Sequence, residues 1–234
     1  KHYVKERKSQ TPIEALRALA SMQKRPLPVL TSVASKQSPI MLMAQIRVDN
    51  GDTAGIETLA KNLADAGADA LALFTDHGLE PHGLDDLVAL TRAVNIPIIS
   101  QDVFIDEYQI VEVRAAGASG LVLRASTMDK ELLRTLVSST QRNRMTAIVE
   151  VNNFDEVAYA QSLSPYVIAI SRMDAWTGAS SNIPASELRA AISGDTRVIL
   201  AESLGTLEDV QAAADLQVHA VIVQPELLLS SAHK

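Results

Sequence analysis

The chain has 234 residues, of which 47% are hydrophobic and 21% charged, and its net charge is −7. These values describe an ordinary globular chain long enough for one large domain, and the negative charge argues against nucleic acid as the main partner, because phosphate neutralisation needs clustered Lys and Arg. The lack of cysteine excludes disulfides, thiolate metal sites and a Cys nucleophile, and no apolar run is long enough to span a bilayer.

In chain order, the sequence predicts a capped helix over residues 11–23 and then eight repeats of a strand followed by a helix. Strands are predicted near 40–47, 69–74, 97–101, 119–124, 146–151, 166–171, 197–202 and 219–223. Helices are predicted near 55–66, 84–94, 107–116, 129–143, 154–163, 185–193 and 206–214, with a short last one after Pro225. The apolar runs are continuous, as is typical of parallel strands covered on both faces.

Local signals mark where the helices begin and end. Gly67 and Gly117 follow two helical segments, and glycine there supplies the left-handed conformation that stops a helix. Asp129 and Thr206 are predicted N-caps, and Thr206 with Asp209 approximates a capping box.

Eight evenly spaced strand–helix units predict an α/β fold, a single (βα)8 TIM barrel with an extra N-terminal helix. A doubly wound open sheet is the alternative, but no Gly-rich phosphate fingerprint follows the first strand. No Pro/Gly/Ser linker interrupts the alternation, so we expect an N-terminal helical extension over 1–36 and a barrel over 37–234.

In such a barrel, chemistry belongs at the C-terminal ends of the strands and in the loops that follow them. The predicted strand ends carry Gln45, Arg47, Asp76, Gln101, Asp102, Arg124, Glu150, Ser171, Glu202, Ser203, Gln224 and Pro225. The first, third and eighth strands therefore offer amides, a guanidinium and a proline, where an enzyme would carry acids, lysines and glycines. The scaffold is typical of an enzyme, and these positions are not.

Several of these runs together resemble the indole-3-glycerol-phosphate synthase family, from Pro12 to the C-terminus. The residues that carry the resemblance are Asp102-Val103-Phe104-Ile105-Asp106-Glu107-Tyr108-Gln109, Ala147-Ile148-Val149-Glu150-Val151, Ala201-Glu202-Ser203, Leu73-Phe74-Thr75-Asp76 and Arg114-Ala115-Ala116-Gly117-Ala118. The resemblance implies a barrel of tryptophan biosynthesis, a carboxy-lyase that closes and decarboxylates a carboxyphenylamino-deoxyribulose phosphate.

Most catalytic positions implied by the resemblance are substituted. The Glu and Lys of the family's first strand are Gln45 and Arg47 here, and the general-acid Lys of its third strand is Gln101. Gln cannot donate a proton and recover it, which removes a contribution of roughly 10²–10⁴ to the rate. The sixth-strand Asn is Ser171. The retained family positions are Glu150, Glu202 and Ser203.

The phosphate site implied by the resemblance is also degenerate. The family binds phosphate on backbone amides of a Ser-Gly after strand seven and a Gly-Ser after strand eight. Here these pairs read Ser203-Leu204 and Gln224-Pro225. Proline has no N–H, and the missing glycines deny the close backbone approach that an anion needs. Gly205, one position later, could restore part of the first half.

The surviving carboxylates have a structural alternative. Glu150 and Glu202 at the mouth of a barrel can pair with Arg47 or Arg124 and hold the rim together without any catalytic role. His77 and His82 flank Asp76 and Glu80, which suggests a metal site, but the spacing favours solvated loop residues.

These observations predict a synthase-like barrel without catalytic activity, a pseudoenzyme kept as a structural or protein-interaction subunit. The alternatives are an active or altered synthase-type carboxy-lyase, or a binder of a different small ligand, for which Trp176 and Met173 offer either a stacking surface or an apolar plug. We expect a protein partner or larger assembly, no nucleic acid, no membrane span, no cofactor and no metal. The expected location is the cytoplasm, or the plastid stroma if a targeting peptide has been removed.

Overall fold

Eight parallel strands close into a barrel in the order of the sequence, from β1 to β8 and back to β1. The computed structural model describes residues 2–30, 40–47, 53–76, 78, 81–173 and 180–231. The strands are β1 (Met41–Ile46), β2 (Ala70–Phe74), β3 (Ile98–Gln101), β4 (Gly120–Arg124), β5 (Thr146–Val151), β6 (Val167–Ile170), β7 (Arg197–Leu204) and β8 (Ala220–Val223). The predicted (βα)8 barrel is confirmed.

Helices alternate with the strands and cover the outside of the barrel. They are α1 (His2–Gln10), α2 (Ile13–Met22), α3 (Thr53–Asp65), α4 (Gly83–Ala93), α5 (Glu107–Ala115), α6 (Lys130–Arg142), α7 (Phe154–Ser162), α8 (Ala185–Ala191), α9 (Leu207–Asp215) and α10 (Pro225–Ser231). Among the described residues, no helix is long and apolar enough to cross a membrane.

The N-terminal extension differs from its prediction. The helix predicted at 11–23 is α2, and a further helix, α1, precedes it. The expected cap on α2 was wrong: the helix begins after Pro12 without a side-chain hydrogen bond. The predicted boundary at residue 36 lies outside the described part of the chain.

The predicted turns and caps of the later helices are present. Gly67 and Gly117 adopt φ values of 98° and 101°, and Gln217 takes the same left-handed region at 56° without being glycine. The Asp129 carboxylate accepts from the amide of Leu132, 2.8 Å away. Thr206 Oγ1 accepts from the amide of Asp209 and donates to its carboxylate. The box is therefore incomplete, because the carboxylate bonds the Thr206 hydroxyl instead of its backbone N–H.

Two buried apolar layers form the core, one inside the barrel and one between strands and helices. Val29 and Leu30 belong to the inner layer, so the extension closes the end of the barrel where the strands begin. Tyr108 on α5 donates its hydroxyl proton to the carbonyls of Arg7 and Thr11. The extension is thereby fixed against α5, and the opposite end of the barrel holds the polar strand ends.

Candidate functional site

Most of the site residues are the last inward-facing positions of their strands, and Glu202 lies at an irregularity in the pairing of β7 with β8. Side chains alternate along a strand, so the inner-core residues Ile99 and Ile148 are followed two positions later by Gln101 and Glu150. In a closed parallel barrel, these final positions converge on one end. The fold therefore gathers residues that lie up to 158 positions apart in the sequence, from Gln45 to Ser203.

A cavity of about 710 Å³ opens at this end of the barrel. Six of the predicted site residues line it: Gln45, Gln101, Glu150, Ser171, Glu202 and Ser203. The other four predicted site residues do not line the cavity: Arg47, Leu204, Gln224 and Pro225. Arg47 lies close to it, because its guanidinium carbon is 5.8 Å from the ring centroid of the lining residue Phe74. All predicted catalytic positions except Arg47 are thus brought together, and the phosphate positions lie outside the cavity except for Ser203.

Two glutamines occupy the places of the acid and the lysine. The Gln45 amide nitrogen donates to the Gln101 side-chain oxygen over 3.1 Å. Gln101 is buried, and the bond satisfies one of its polar atoms away from bulk water. The pair is neutral at every ordinary pH and neither member exchanges a proton. The two glutamines therefore satisfy each other's hydrogen bonding at positions where the resemblance implies a carboxylate and a lysine.

Glu150 forms an ion pair with Arg124 from the neighbouring strand. The Arg124 Nε lies 3.2 Å from the carboxylate, and the two side chains retain 20% and 13% of their exposure. Burial raises the pKa of Glu150 above its ordinary value, and the adjacent guanidinium limits that rise. The sequence-based expectation of a rim pair is confirmed for this carboxylate.

Glu202 has a different partner from the one predicted. Its carboxylate accepts from the Nε of Arg172 and, over 2.7 Å, from the Nη2 of the same guanidinium. The pairing raises the pKa of Arg172. The prediction that Glu202 would pair with Arg47 or Arg124 was wrong. Strand β7 lies beside β6, and Arg172 follows the end of β6. Arg124 is already paired with Glu150 on β5.

Asp102 is a titratable group to which the sequence analysis gave no role. Burial, and secondarily the negative charge of Asp76, raise its pKa to about 7, while the amide of Val103 opposes the shift by donating to it over 2.6 Å. Asp76 follows β2 and Asp102 follows β3, and the two strands are neighbours. The sequence could have indicated this interaction, because the ends of neighbouring parallel strands lie on the same rim of the barrel.

Ser171 is engaged in a local turn. Its hydroxyl lies 3.2 Å from the carbonyl oxygen of Met173 and 3.3 Å from the Met173 amide. Met173 in turn forms an isolated antiparallel bridge with Ser180. The position of the family's Asn therefore supports the chain that follows β6.

The phosphate positions are filled by the chain's own groups. The Gln224 amide donates to the Leu204 carbonyl over 2.9 Å, so this N–H is already used between β8 and β7. The Gln224 side chain lies over Gly205, with its oxygen 3.1 Å from where a Cβ would stand. The Gln224 side chain therefore occupies the space beside Gly205 in which Gly205 could have restored part of the phosphate site.

The metal hypothesis rested partly on residues that are not described. His77 and Glu80 lie outside the described residues, as does Trp176. In the part of the chain that the structure covers, no three His, Asp or Glu side chains are grouped so that they could hold a metal ion. His82 precedes α4 without a side-chain capping bond.

A closed eight-stranded parallel barrel, with a cavity lined by charged and amide side chains at the carboxyl ends of its strands, defines a chain of the (βα)8-barrel fold. Within that fold, the chain belongs to the indole-3-glycerol phosphate synthase family, whose profile matches residues 1–233. The predicted family is confirmed.

The relatives that the chain resembles are bacterial proteins named indole-3-glycerol phosphate synthase. The protein of Nocardioides sp. is 32% identical over 202 residues, which cover 85% of this chain and 77% of the relative. Those of Mycolicibacterium smegmatis and Mycolicibacterium vanbaalenii are 32% and 31% identical, with 73% and 65% of this chain covered. The match spans only 60% and 58% of those two relatives.

Two solved structures share the fold at low identity. The N-acetylmannosamine-6-phosphate 2-epimerase of Clostridium perfringens is 15% identical with a TM-score of 0.64, covering 82% of this chain and 89% of its own. The orotidine 5'-phosphate decarboxylase of Pyrococcus horikoshii OT3 is 13% identical with a TM-score of 0.64, covering 82% and 96%. At these identities the likeness concerns the fold alone.

Proposed function

We propose that this chain is a family member without synthase activity, and that it serves as a structural or protein-interaction subunit. The observation that carries the proposal is the hydrogen bond between Gln45 and Gln101. It places a neutral amide pair at the two positions where the family resemblance implies a carboxylate and a general-acid lysine. Without a group there that gains and loses a proton, the implied ring closure lacks its acid.

No other lysine replaces the missing one. Among the residues that the structure places around the cavity, none is a lysine. The sequence also has none in the segments 48–52, 77–80 and 174–179, which follow β1, β2 and β6. Arg47 is not a substitute, because a guanidinium stays protonated and does not shuttle protons.

The charge of the cavity also disfavours the family's substrate. Four carboxyl groups line it, those of Asp76, Asp102, Glu150 and Glu202, against the two guanidinium groups of Arg124 and Arg172. The raised pKa values of Asp102 and Glu150 reduce this excess of negative charge and do not reverse it. The implied substrate carries a carboxylate and a phosphate, so it meets like charge. The backbone N–H of Gln224 is already bonded and Pro225 has none, so neither of these two positions after β8 offers an amide to the phosphate.

An interaction role is supported by apolar side chains around the mouth. Val103, Phe154, Met173 and Leu207 follow four different strands, and between 37% and 63% of each is exposed. Exposed apolar side chains distributed around a rim with charged groups at its centre can contribute to a protein interface. Charge complementarity favours a partner segment that lays apolar residues on this rim and directs a Lys or Arg side chain into the acidic cavity.

The interaction role is tested by purifying the native protein from its source with its partner bound. The variant Met173→Ser/Leu207→Ser, which alters the rim, is compared with Leu19→Ser/Met22→Ser, which removes exposed apolar groups from α2. We expect the rim variant alone to lose the co-purifying protein. Equal retention by both variants, or equal loss, would refute a partner at the mouth.

A small-ligand binder is the second candidate, favoured by the size of the cavity. Its volume of about 710 Å³ lies in the range of small-molecule sites, about 300–1,000 Å³. Its four carboxylates suit a cationic or hydroxyl-rich molecule. A thermal-shift screen of amines and sugars tests this candidate. A Tm increase that Glu150→Gln abolishes would favour it over the interaction role.

A further inference from the structure

A second cavity lies at the other end of the barrel, far from the strand ends that form the mouth. It has a volume of about 530 Å³ and runs between the segment 23–27, which follows α2, and the last turn of α4. Ile98, at the start of β3, and Gly117 and Ser119, in the turn before β4, also line it. We call this cavity the basal groove.

The wall formed by residues 23–27 is fixed to the barrel by four hydrogen bonds, of which the longest, from Arg114 to the carbonyl of Gln23, spans 3.5 Å. The Gln23 amide group donates to the carbonyl of Ala115 over 2.7 Å. The Arg114 guanidinium donates to the carbonyl of Lys24 over 2.9 Å. The amide of Leu27 donates to the hydroxyl of Ser119 over 3.3 Å. The groove is therefore built from a pinned segment, which pre-organises its shape for binding.

The charged residues along the groove are all cationic. Lys24, Arg25 and Arg92 line it, and no acidic residue does. Within the described ranges, none of the three forms an ion pair. This concentration of positive charge stands out on a chain with a net charge of −7.

A further cation, Arg114, contacts the wall of the groove. Arg114 is buried, and its donated bonds go to backbone carbonyls of residues 23 and 24. Burial, together with the nearby positive charge of Arg144, lowers the pKa of Arg114. Uncompensated positive charge next to a pocket attracts anions.

The rest of the groove is apolar. Leu27, Val88, Ile96 and Ile98 line it beside the cations. Sites for small molecules commonly combine such an apolar lining with a few placed polar groups, and a volume of about 300–1,000 Å³ is typical of them. A purely electrostatic surface for phosphate would not need this apolar lining.

Arg92 has a separate structural role, since it stands in the last turn of α4, where a cation complements the helix dipole. Lys24 and Arg25 lie outside any helix, in the segment after α2, so this reason does not apply to them. The helix therefore accounts for one cation of the three.

We propose that the basal groove binds a small amphipathic anion, with the anionic group on Lys24, Arg25 and Arg92 and an apolar ring against Leu27, Val88 and Ile96. The site is independent of the mouth of the barrel. Its occupancy would also brace the pinned segment that closes the barrel through Val29 and Leu30.

The probe for this site is 1-anilinonaphthalene-8-sulfonate, which joins an apolar ring system to a sulfonate and becomes fluorescent when bound. The groove variant is Lys24→Gln/Arg25→Gln/Arg92→Gln. The matched control is Lys5→Gln/Lys61→Gln/Arg134→Gln, which removes three exposed positive charges on α1, α3 and α6. We expect the groove variant to bind the probe about tenfold more weakly or worse, and the control to stay within about twofold of the unmodified chain.

N-phenyl-1-naphthylamine, the same ring system without the sulfonate, separates charge recognition from apolar binding. It should bind the unmodified chain and the groove variant equally. Equal loss of both probes would overturn the proposal, because it would show that the three cations do not recognise the anionic group. An unaltered sulfonate affinity in the groove variant would overturn it as well.

Amide chemical shifts locate the probe in the unmodified chain, whatever the folding of the variants. We expect the sulfonate probe to shift the amide signals of Leu27, Gly117 and Ser119, which line the groove. Shifts confined to mouth residues such as Gln101 and Glu150 would place the probe at the other end and refute the basal site.

Discussion

Replacing Arg124 with Met should destabilise the barrel more strongly than breaking any exposed ion pair. Arg124 and Glu150 approach to 3.2 Å, with 20% and 13% of their side chains exposed. Removing the guanidinium leaves the carboxylate of Glu150 mostly buried without its counter-charge, which is costly. Met has an apolar side chain of similar length to the stem of Arg, so it leaves no large cavity. The loss of stability then measures the removal of the charge.

The magnitude follows from the distance and the burial. At 3.2 Å and an effective dielectric constant of about 20, the attraction is about 5 kcal/mol. Residual exposure and relaxation let water replace part of it, so we expect a loss of about 2–3 kcal/mol in the free energy of unfolding at pH 8.

The loss should depend on pH in a defined direction. The folded-state pKa of Glu150 is raised, so its ionisation costs stability as pH rises through that pKa. Without Arg124 the pKa rises further. As the pH falls, a growing fraction of the buried carboxyl is neutral in the folded state, and a neutral carboxyl needs no counter-charge. The loss caused by Arg124→Met should therefore be smaller at pH 5 than at pH 8.

Urea denaturation at both pH values measures this, with Arg142→Met as the control. Arg142 and Glu107 form a pair at 2.9 Å whose side chains are 61% and 45% exposed, and its loss should stay below about 1 kcal/mol. Adding Glu150→Gln to Arg124→Met should recover stability at pH 8. Equal losses from Arg124→Met and Arg142→Met, or a loss that does not change with pH, would refute the reasoning.

Four further outcomes are expected. Asp76→Asn should lower the pKa of Asp102 from about 7, since it removes a neighbouring negative charge, and carboxyl carbon NMR titration measures the shift. Asp102→Asn should stabilise the chain at pH 8 relative to pH 5 by about 2 kcal/mol in denaturation, because ionisation of a raised-pKa carboxyl costs stability above that pKa. Thr206→Ala should cost about 1 kcal/mol through loss of a helix cap, by the same measurement. Gly117→Ala should cost about 2 kcal/mol and Gly67→Ala about 1 kcal/mol, because both have positive φ but only the first would place a Cβ against a side chain.

Each of these outcomes has a contrary result. A pKa of Asp102 that Asp76→Asn leaves unchanged would show that burial alone sets it. An Asp102→Asn variant equally stable relative to the parent at both pH values would contradict the raised pKa. A stability unchanged by Thr206→Ala would mean that water caps α9 as well as the hydroxyl does. If the two glycine variants lost equal stability, backbone conformation alone would explain both losses, and the contact with Thr91 would contribute nothing.

The fold was predictable from the sequence because each signal is local. Continuous apolar runs separated by helical segments specify buried parallel strands, and Gly67 and Gly117 mark two of the turns before them. Three other turns before strands are made by Arg144, Ser164 and Gln217, whose left-handed conformations have no compositional signal. Helix α1 was missed because its residues are mostly polar, and its position depends on distant contacts such as Arg7 with Glu112.

The cavity was predictable as a set of residues but not as a set of contacts. Gln45, Gln101 and Glu150 converge because they end their strands. Glu202 pairs with Arg172 because Arg124 is already bonded to Glu150. The sequence of one strand end does not show which guanidinium another carboxylate already binds. Partner choice within a ring of charges is a property of the assembled rim.

The rate of indole-3-glycerol phosphate formation tests the central claim most directly. The purified chain is incubated with the carboxyphenylamino-deoxyribulose phosphate implied by the family, beside the Nocardioides relative, and product indole fluorescence is followed. Because Gln101 stands where the resemblance implies the acid and Gln45 bonds it, we expect a rate at least roughly 10²–10⁴-fold below that of the relative. Turnover within about tenfold of the relative would contradict the account, because general-acid loss alone should exceed that margin.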